Sequence, residues 1–112
     1  MTNDFKNEFP PLIRSFANYK DVVQGCSKKT VTEYLFDLRT FCRYLVAVRD
    51  GISTSGEEFD SIDISKLNTN FFKRVTPSDV YDFLAFIGSE RGNNPRARAR
   101  KLSAIKSFYK YL

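Results

Sequence analysis

Histidine and tryptophan are absent from the 112 residues, and cysteine appears only twice. Without imidazole the chain has no group that titrates unperturbed near neutral pH for general acid–base work. Two cysteines without a histidine also make a poor metal site. Cys26 and Cys42 are expected to stay free thiols. Nothing points to an oxidising compartment, and Cys42 falls on an apolar helical stripe where a thiol behaves as a small hydrophobe. The five glycines are scattered at turns, which excludes a phosphate-cradling loop. No apolar run approaches the ~18 residues of a membrane span, and the first residues lack a basic-then-apolar leader. The expectation is a soluble, cytoplasmic domain with no membrane association, no metal, no cofactor and no small-molecule substrate.

Carboxylates are missing from the most cationic stretch of the chain. Residues 94–112 hold six of the 18 Lys and Arg and not one Asp or Glu. The other 93 residues carry 12 cations against 13 carboxylates, so the net charge of +5 comes from this segment. A localised cationic excess is the electrostatic footprint of a nucleic-acid partner more often than a solubility device. The segment also reads as a helix, with Asn94 as N-cap, Pro95 at the first helical position and an interior of Ala, Arg, Lys and Leu. At about 100° per residue, Leu102, Ile105, Phe108, Tyr109 and Leu112 gather on one side. Arg96, Arg100, Ser103, Ser107 and Lys110 gather on the other, with Lys106 at its edge. Small hydroxyls between cations let a helix come close to a phosphate backbone. By the wheel alone, a solvated basic back on an ordinary core helix weighs equally.

The remainder is helical too. Residues 1–8 are polar and expected to be a flexible lead-in to a single domain over 9–112. Phe9-Pro10-Pro11 opens a first helix whose stripe is Leu12, Ile13, Phe16, Tyr19, Lys20 and Val23, ended by Gly25. Ser27 starts the longest periodic segment, to about Arg49, with Val31, Tyr34, Leu35, Leu38, Phe41, Cys42, Leu45 and Val48 at three- and four-residue steps, and Gly51 stops it. Its outer face carries Lys29, Thr32, Phe36, Thr40 and Arg43, and Phe36 stands out as a possible contact residue. Residues 52–70 read as an acidic loop pinned by Phe59, Ile62, Ile64 and Leu67, with a short turn at Asn70–Arg74. Thr76, Pro77 and Asp79 then form an N-terminal box, with Val75 and Val80 as a hydrophobic staple. Val80, Phe83, Leu84 and Ile87 form the stripe that follows. No period-two strand is present. Glu57, Glu58, Asp60 and Asp63 sit in the loop rather than across a cleft, and no Ser or Tyr has a neighbouring base to activate it. The chain reads as all-α and non-catalytic.

Two stretches carry a family signature. Thr30 to Leu38 has the spacing Thr-x-x-x-Tyr-x-x-Asp-Leu, and Arg100 to Leu112 reads Arg-x-Leu-Ser-Ala-aliphatic-basic-x-Phe-Tyr-x-Tyr-Leu. With Thr76-Pro77-Ser78-Asp79-Val80 between them, the chain resembles the N-terminal core-binding domain of Xer-type tyrosine recombinases and phage integrases over about Phe9 to Leu112. The resemblance implies a compact four- to five-helix orthogonal bundle of SAM-like fold that clamps one face of double-stranded DNA, with sister recombinase subunits assembled beside it. It further implies a fragment of a larger site-specific recombinase. The two Arg, the Lys, the His or Trp partners and the Tyr nucleophile would lie in a catalytic domain beyond Leu112, so none of the tyrosines here takes that role. Carried onto this chain, the DNA-binding positions are Lys28, Lys29, Thr32, Thr40 and Arg43 on the second helix, and Arg96, Arg100, Ser103, Lys106, Ser107 and Lys110 on the last. Lys106 replaces a frequent Arg, which removes a bidentate guanine contact, and Pro95-Arg96 replaces small hydroxyl residues at the helix start. The rival reading is a helical protein–protein module using Phe36, Tyr111 and Leu112.

Overall fold

The longest helix, α3 (Lys28–Asp50), is closed at both ends by the residues that flank it. The Ser27 hydroxyl accepts the Thr30 amide at 3.1 Å. Gly51 takes the left-handed conformation at φ 69°, and its N–H reaches back to the Ala47 carbonyl. Glycine suits that position because a Cβ is disfavoured at positive φ. The computed structural model describes residues 3–89, 91–92 and 94–112, and the described part contains helices and loops without a strand.

Helix α2 (Pro11–Asn18) runs into a single π-helical turn at Tyr19–Val23. Helices α6 (Pro77–Ser89) and α7 (Pro95–Tyr111) complete the set of long elements. Three five-residue helices, α1 (Asn3–Asn7), α4 (Gly56–Asp60) and α5 (Thr69–Lys73), fill the connections. Helix α3 lies against α2, α4, α6 and α7, and α7 also meets α2 and α6. The all-α bundle expected from the sequence is therefore present, with four long helices and three short ones among the described residues.

The starts of α6 and α7 follow their sequence signals. Thr76 and Asp79 cap one another: the Thr76 hydroxyl accepts the Asp79 amide at 3.2 Å, and the Asp79 carboxylate accepts the Thr76 amide at 2.8 Å. Asn94 accepts the Ala97 amide at 2.9 Å, and Pro95 takes the first helical position. Each pairing satisfies a donor that a helix start otherwise leaves open.

Aromatic rings build the core. Phe108 of α7 meets Phe16 of α2 edge-on at 5.5 Å and Phe72 of α5 at 5.1 Å. Phe83 of α6 meets Phe41 of α3 at 5.1 Å. The Tyr109 hydroxyl donates to the Phe72 carbonyl at 2.8 Å and so ties α5 to α7. Phe59, Ile62 and Ile64 are buried, pinning the 52–70 connection as expected.

Four expectations about exposure change. Residues 3–7 form a helical turn instead of an unstructured lead-in: Phe5 packs against Phe9 and Phe36, and Glu8 pairs with Arg39 at 3.1 Å. Val23 is 69% exposed because the π turn advances the chain by an extra residue and rotates the stripe off the core. Val48 is 60% exposed, and α3 buries Val46 and Ala47 in its place. Leu112 lies just past the end of α7 and is 46% exposed.

Thr76→Ala is expected to lower stability by about 1 kcal/mol in urea denaturation, while Thr76→Ser stays close to wild type. Burial pushes the ionisation of the Cys42 thiol and the Tyr109 phenol above their ordinary values of 9.0 and 10.0. The unfolded chain ionises them first, so the stability they contribute is complete below those values and is lost as pH rises past them. Urea midpoints should stay level from about pH 7 to about pH 8 and fall above about pH 9.

Candidate nucleic-acid interface

Helix α7 turns Lys101, Ala104, Ile105 and Phe108 into the protein. With 3.6 residues per turn, the opposite side must then present Arg96, Ala99, Ser103, Lys106 and Lys110. All five are exposed, and Ser107 is half-buried at the border. Among the described residues, no carboxylate pairs with Arg96, Lys106 or Lys110. Ala99 and Ser103 lie between these cations on the wheel, so the centre of the stripe is low. Ala99 belongs to this face although its residue type gave no sign of it in the sequence.

Arg100 has a different setting. Its Nε and Nη2 donate to Oδ2 and Oδ1 of Asp37 on α3, both at 3.0 Å. Lys101 Nζ donates to the same Oδ1 at 3.1 Å. Asp37 is 2% exposed and the Lys101 side chain 10%, whereas the Arg100 side chain is 50% exposed. A buried carboxylate is tolerated only when it is paired and hydrogen-bonded, and here two cations share it. The bond to Asp37 is the main reason the Arg100 guanidinium holds its proton more firmly than usual. Arg100 is thus half of an interhelical clasp as well as a surface cation.

The α3 half of the expected surface is thinner than the sequence reading. Lys28 lies nine residues before Asp37, half a turn away on the wheel, and lines a recess with Lys6, Ala17, Asp21 and Val31 on the side away from α7. Arg43 turns to the connection after α4, where its Nε donates to the Ile62 carbonyl at 3.3 Å. Burial first, then the nearby Arg39, makes its proton easier to lose than an ordinary guanidinium's. The Thr40 hydroxyl is engaged by the Phe36 carbonyl at 3.2 Å. Thr32 is half-buried, and Lys29 is exposed with no carboxylate partner among the described residues. Glu33, absent from the sequence reading of this surface, lies close enough to Arg100 to favour its charged form. Phe36 is not an idle apolar residue either: it holds Phe5 at 5.4 Å and the Arg39 guanidinium at 5.0 Å.

Asp37 and Lys101 had a signal that went unused. Lys101 falls between Phe108 and Ile105 on the α7 wheel, and Asp37 falls next to Phe41 on α3. One buried cation and one buried anion on facing stripes imply each other. Among the described residues, no group of His, Cys, Asp and Glu is placed to hold a metal ion, and no helix is long and apolar enough to cross a membrane.

An all-helical domain with one bare cationic helix face is the architecture defined so far, and relatives give it a family. The tyrosine recombinase XerC of Caldanaerobacter subterraneus is 39% identical over 105 residues, covering 94% of this chain and 30% of that protein. XerC of Myxococcus xanthus is 32% identical over 102 residues, covering 91% of this chain and 27% of the relative. Tyrosine recombinase XerD of Listeria monocytogenes is 31% identical over 101 residues, covering 90% of this chain and 28% of the relative. No family model matches, and no solved structure does. The chain belongs to the Xer-type tyrosine recombinases, as their N-terminal helical domain, and spans less than a third of the length of these relatives.

Replacing Lys101 by Met keeps the packing volume but takes one of the two cations from Asp37. Denaturant titration should show a loss of roughly 1–3 kcal/mol, the cost of an under-satisfied buried charge.

Proposed function

We propose that this chain is the double-stranded DNA clamp of a Xer-type recombinase, laid along the duplex by the outward face of α7. The observation that carries the reading is the stripe of Arg96, Lys106 and Lys110, without carboxylate partners among the described residues, around Ala99, Ser103 and Ser107. Small side chains let the helix axis approach the backbone, and the flanking cations meet phosphates. Arg100 and Lys29 extend the surface toward α3. The remaining positions read from the sequence, Lys28, Thr32, Thr40 and Arg43, are peripheral to this face.

The chain itself performs no strand cleavage in this reading. Cutting and rejoining belong to a tyrosine-bearing catalytic domain of the parent protein, and sister subunits meet this domain when several assemble on one recombination site in the cytoplasm. The protein-docking alternative is weakened at Tyr111, which stacks against Phe16 and Tyr19 and shares a hydrogen bond with the Ser15 hydroxyl, while Phe36 keeps 44% of its surface exposed beside Phe5 and Arg39.

With about five cations on phosphates, affinity for a mixed-sequence duplex should fall by two to three powers of ten between ~50 and ~200 mM salt. The double substitution Arg96→Glu and Lys106→Glu should abolish that binding without shifting the thermal midpoint. A salt response that stays flat, or a charge-reversed chain that binds like wild type, rejects the clamp.

A further inference from the structure

A carboxylate under a DNA-facing helix presents an apparent contradiction. Asp37 adds a negative charge beneath a surface that, in the reading above, must attract a polyanion. Its geometry resolves the conflict. The guanidinium of Arg100 meets Asp37 side-on, through Nε and Nη2. Arg carries five N–H donors in a rigid plane. Engaging the Nε edge leaves the Nη1 hydrogens directed away from the carboxylate, and Nη1 has no hydrogen bond among the described residues. The side chain as a whole is half exposed. Lys101 supplies a second cation to Asp37 from below, so the three groups together are net positive.

We infer that Asp37 is a positioning residue for DNA binding: it locks the Arg100 guanidinium in one orientation, so that its Nη1 edge is presented to a phosphate between α7 and α3. The inference rests on the clamp reading. A long side chain fixed in advance loses little freedom when it meets its ligand, whereas a loose arginine must be immobilised on binding. Glu33 is the other carboxylate close to Arg100. The side-on grip of Asp37 keeps the guanidinium from swinging to it.

The consequence has an unexpected sign. Simple charge counting says that Asp37→Asn, which removes a negative charge near a polyanion, tightens DNA binding. Positioning says that it weakens binding. The test is fluorescence anisotropy with a labelled mixed-sequence duplex at ~50 mM salt, using the 112-residue chain, Asp37→Asn, Arg100→Ala, the double variant and Arg100→Lys. Circular dichroism melts check each fold. Asp37→Asn should bind roughly tenfold more weakly than wild type, as should Arg100→Ala. The double variant should be no weaker than Arg100→Ala, because both changes remove the same contact. The salt slope of Asp37→Asn should drop by about one phosphate contact.

A purely structural role for Asp37 would weaken the Arg100→Ala background further, and that additivity overturns the inference. So does an Asp37→Asn chain that binds as well as wild type or better. Should Asp37→Asn fail to fold, Arg100→Lys decides. It keeps the charge but cannot both grip Asp37 side-on and reach outward. A loss of roughly tenfold supports positioning, and wild-type affinity overturns it. A wild-type chain that shows no salt-sensitive binding at all defeats the clamp reading, and this inference with it. Wild-type binding with unaffected variants defeats the inference alone.

Discussion

One buried carboxylate sets how α3 and α7 meet. Asp37 lies on the side of α3 that faces α7, out of water, and two consecutive residues of α7 close over it. An unpaired carboxylate at that depth costs several kcal/mol. Helix α7 therefore cannot roll or slide against α3 without breaking these bonds. Because Arg100 and Lys101 are about 100° apart on the helix, holding both also fixes which side of α7 faces outward. The cationic stripe is the geometrical remainder of that constraint.

The aromatic core supports the same register from the other end. Phe108 is two turns along from Lys101, against Phe16 and Phe72, and Tyr109 adds a hydroxyl to the Phe72 carbonyl. Polar and apolar contacts thus fix α7 at separate points along its length. The domain places the charge-assisted bonds toward one end and the ring stack toward the other, so bending the helix would strain both.

Much of this could be read from the residues in order. Ser27, Gly51, Thr76, Asp79, Asn94 and Pro95 mark helix ends because each satisfies a specific backbone group or angle, and those needs are local. The stripes of α3, α6 and α7 followed from spacing for the same reason. What escaped was non-local. The π turn at Tyr19–Val23 shifts a periodicity that assumes an ideal helix, so Val23 faced the wrong way. Arg43 has an alternative partner, the Ile62 carbonyl, that a wheel does not show. Lys28 came from the resemblance alone, and it lies on the side of α3 away from α7. Arg100 looked like a surface cation because its partner is 63 residues earlier in the chain. The family signature pointed to the pair without explaining it: Asp37 is the next-to-last residue of one motif and Arg100 opens the other, and in space they are one contact.

The length of the bare stripe has a consequence of its own. Arg96 and Lys110 are fourteen residues apart on an unbroken helix, which at 1.5 Å per residue separates them by about 21 Å. A turn of B-form duplex rises about 34 Å. For a duplex clamped as proposed, the face is therefore a ruler for little more than half a helical repeat. A partner wrapped all the way round must find the rest of its grip on other surfaces.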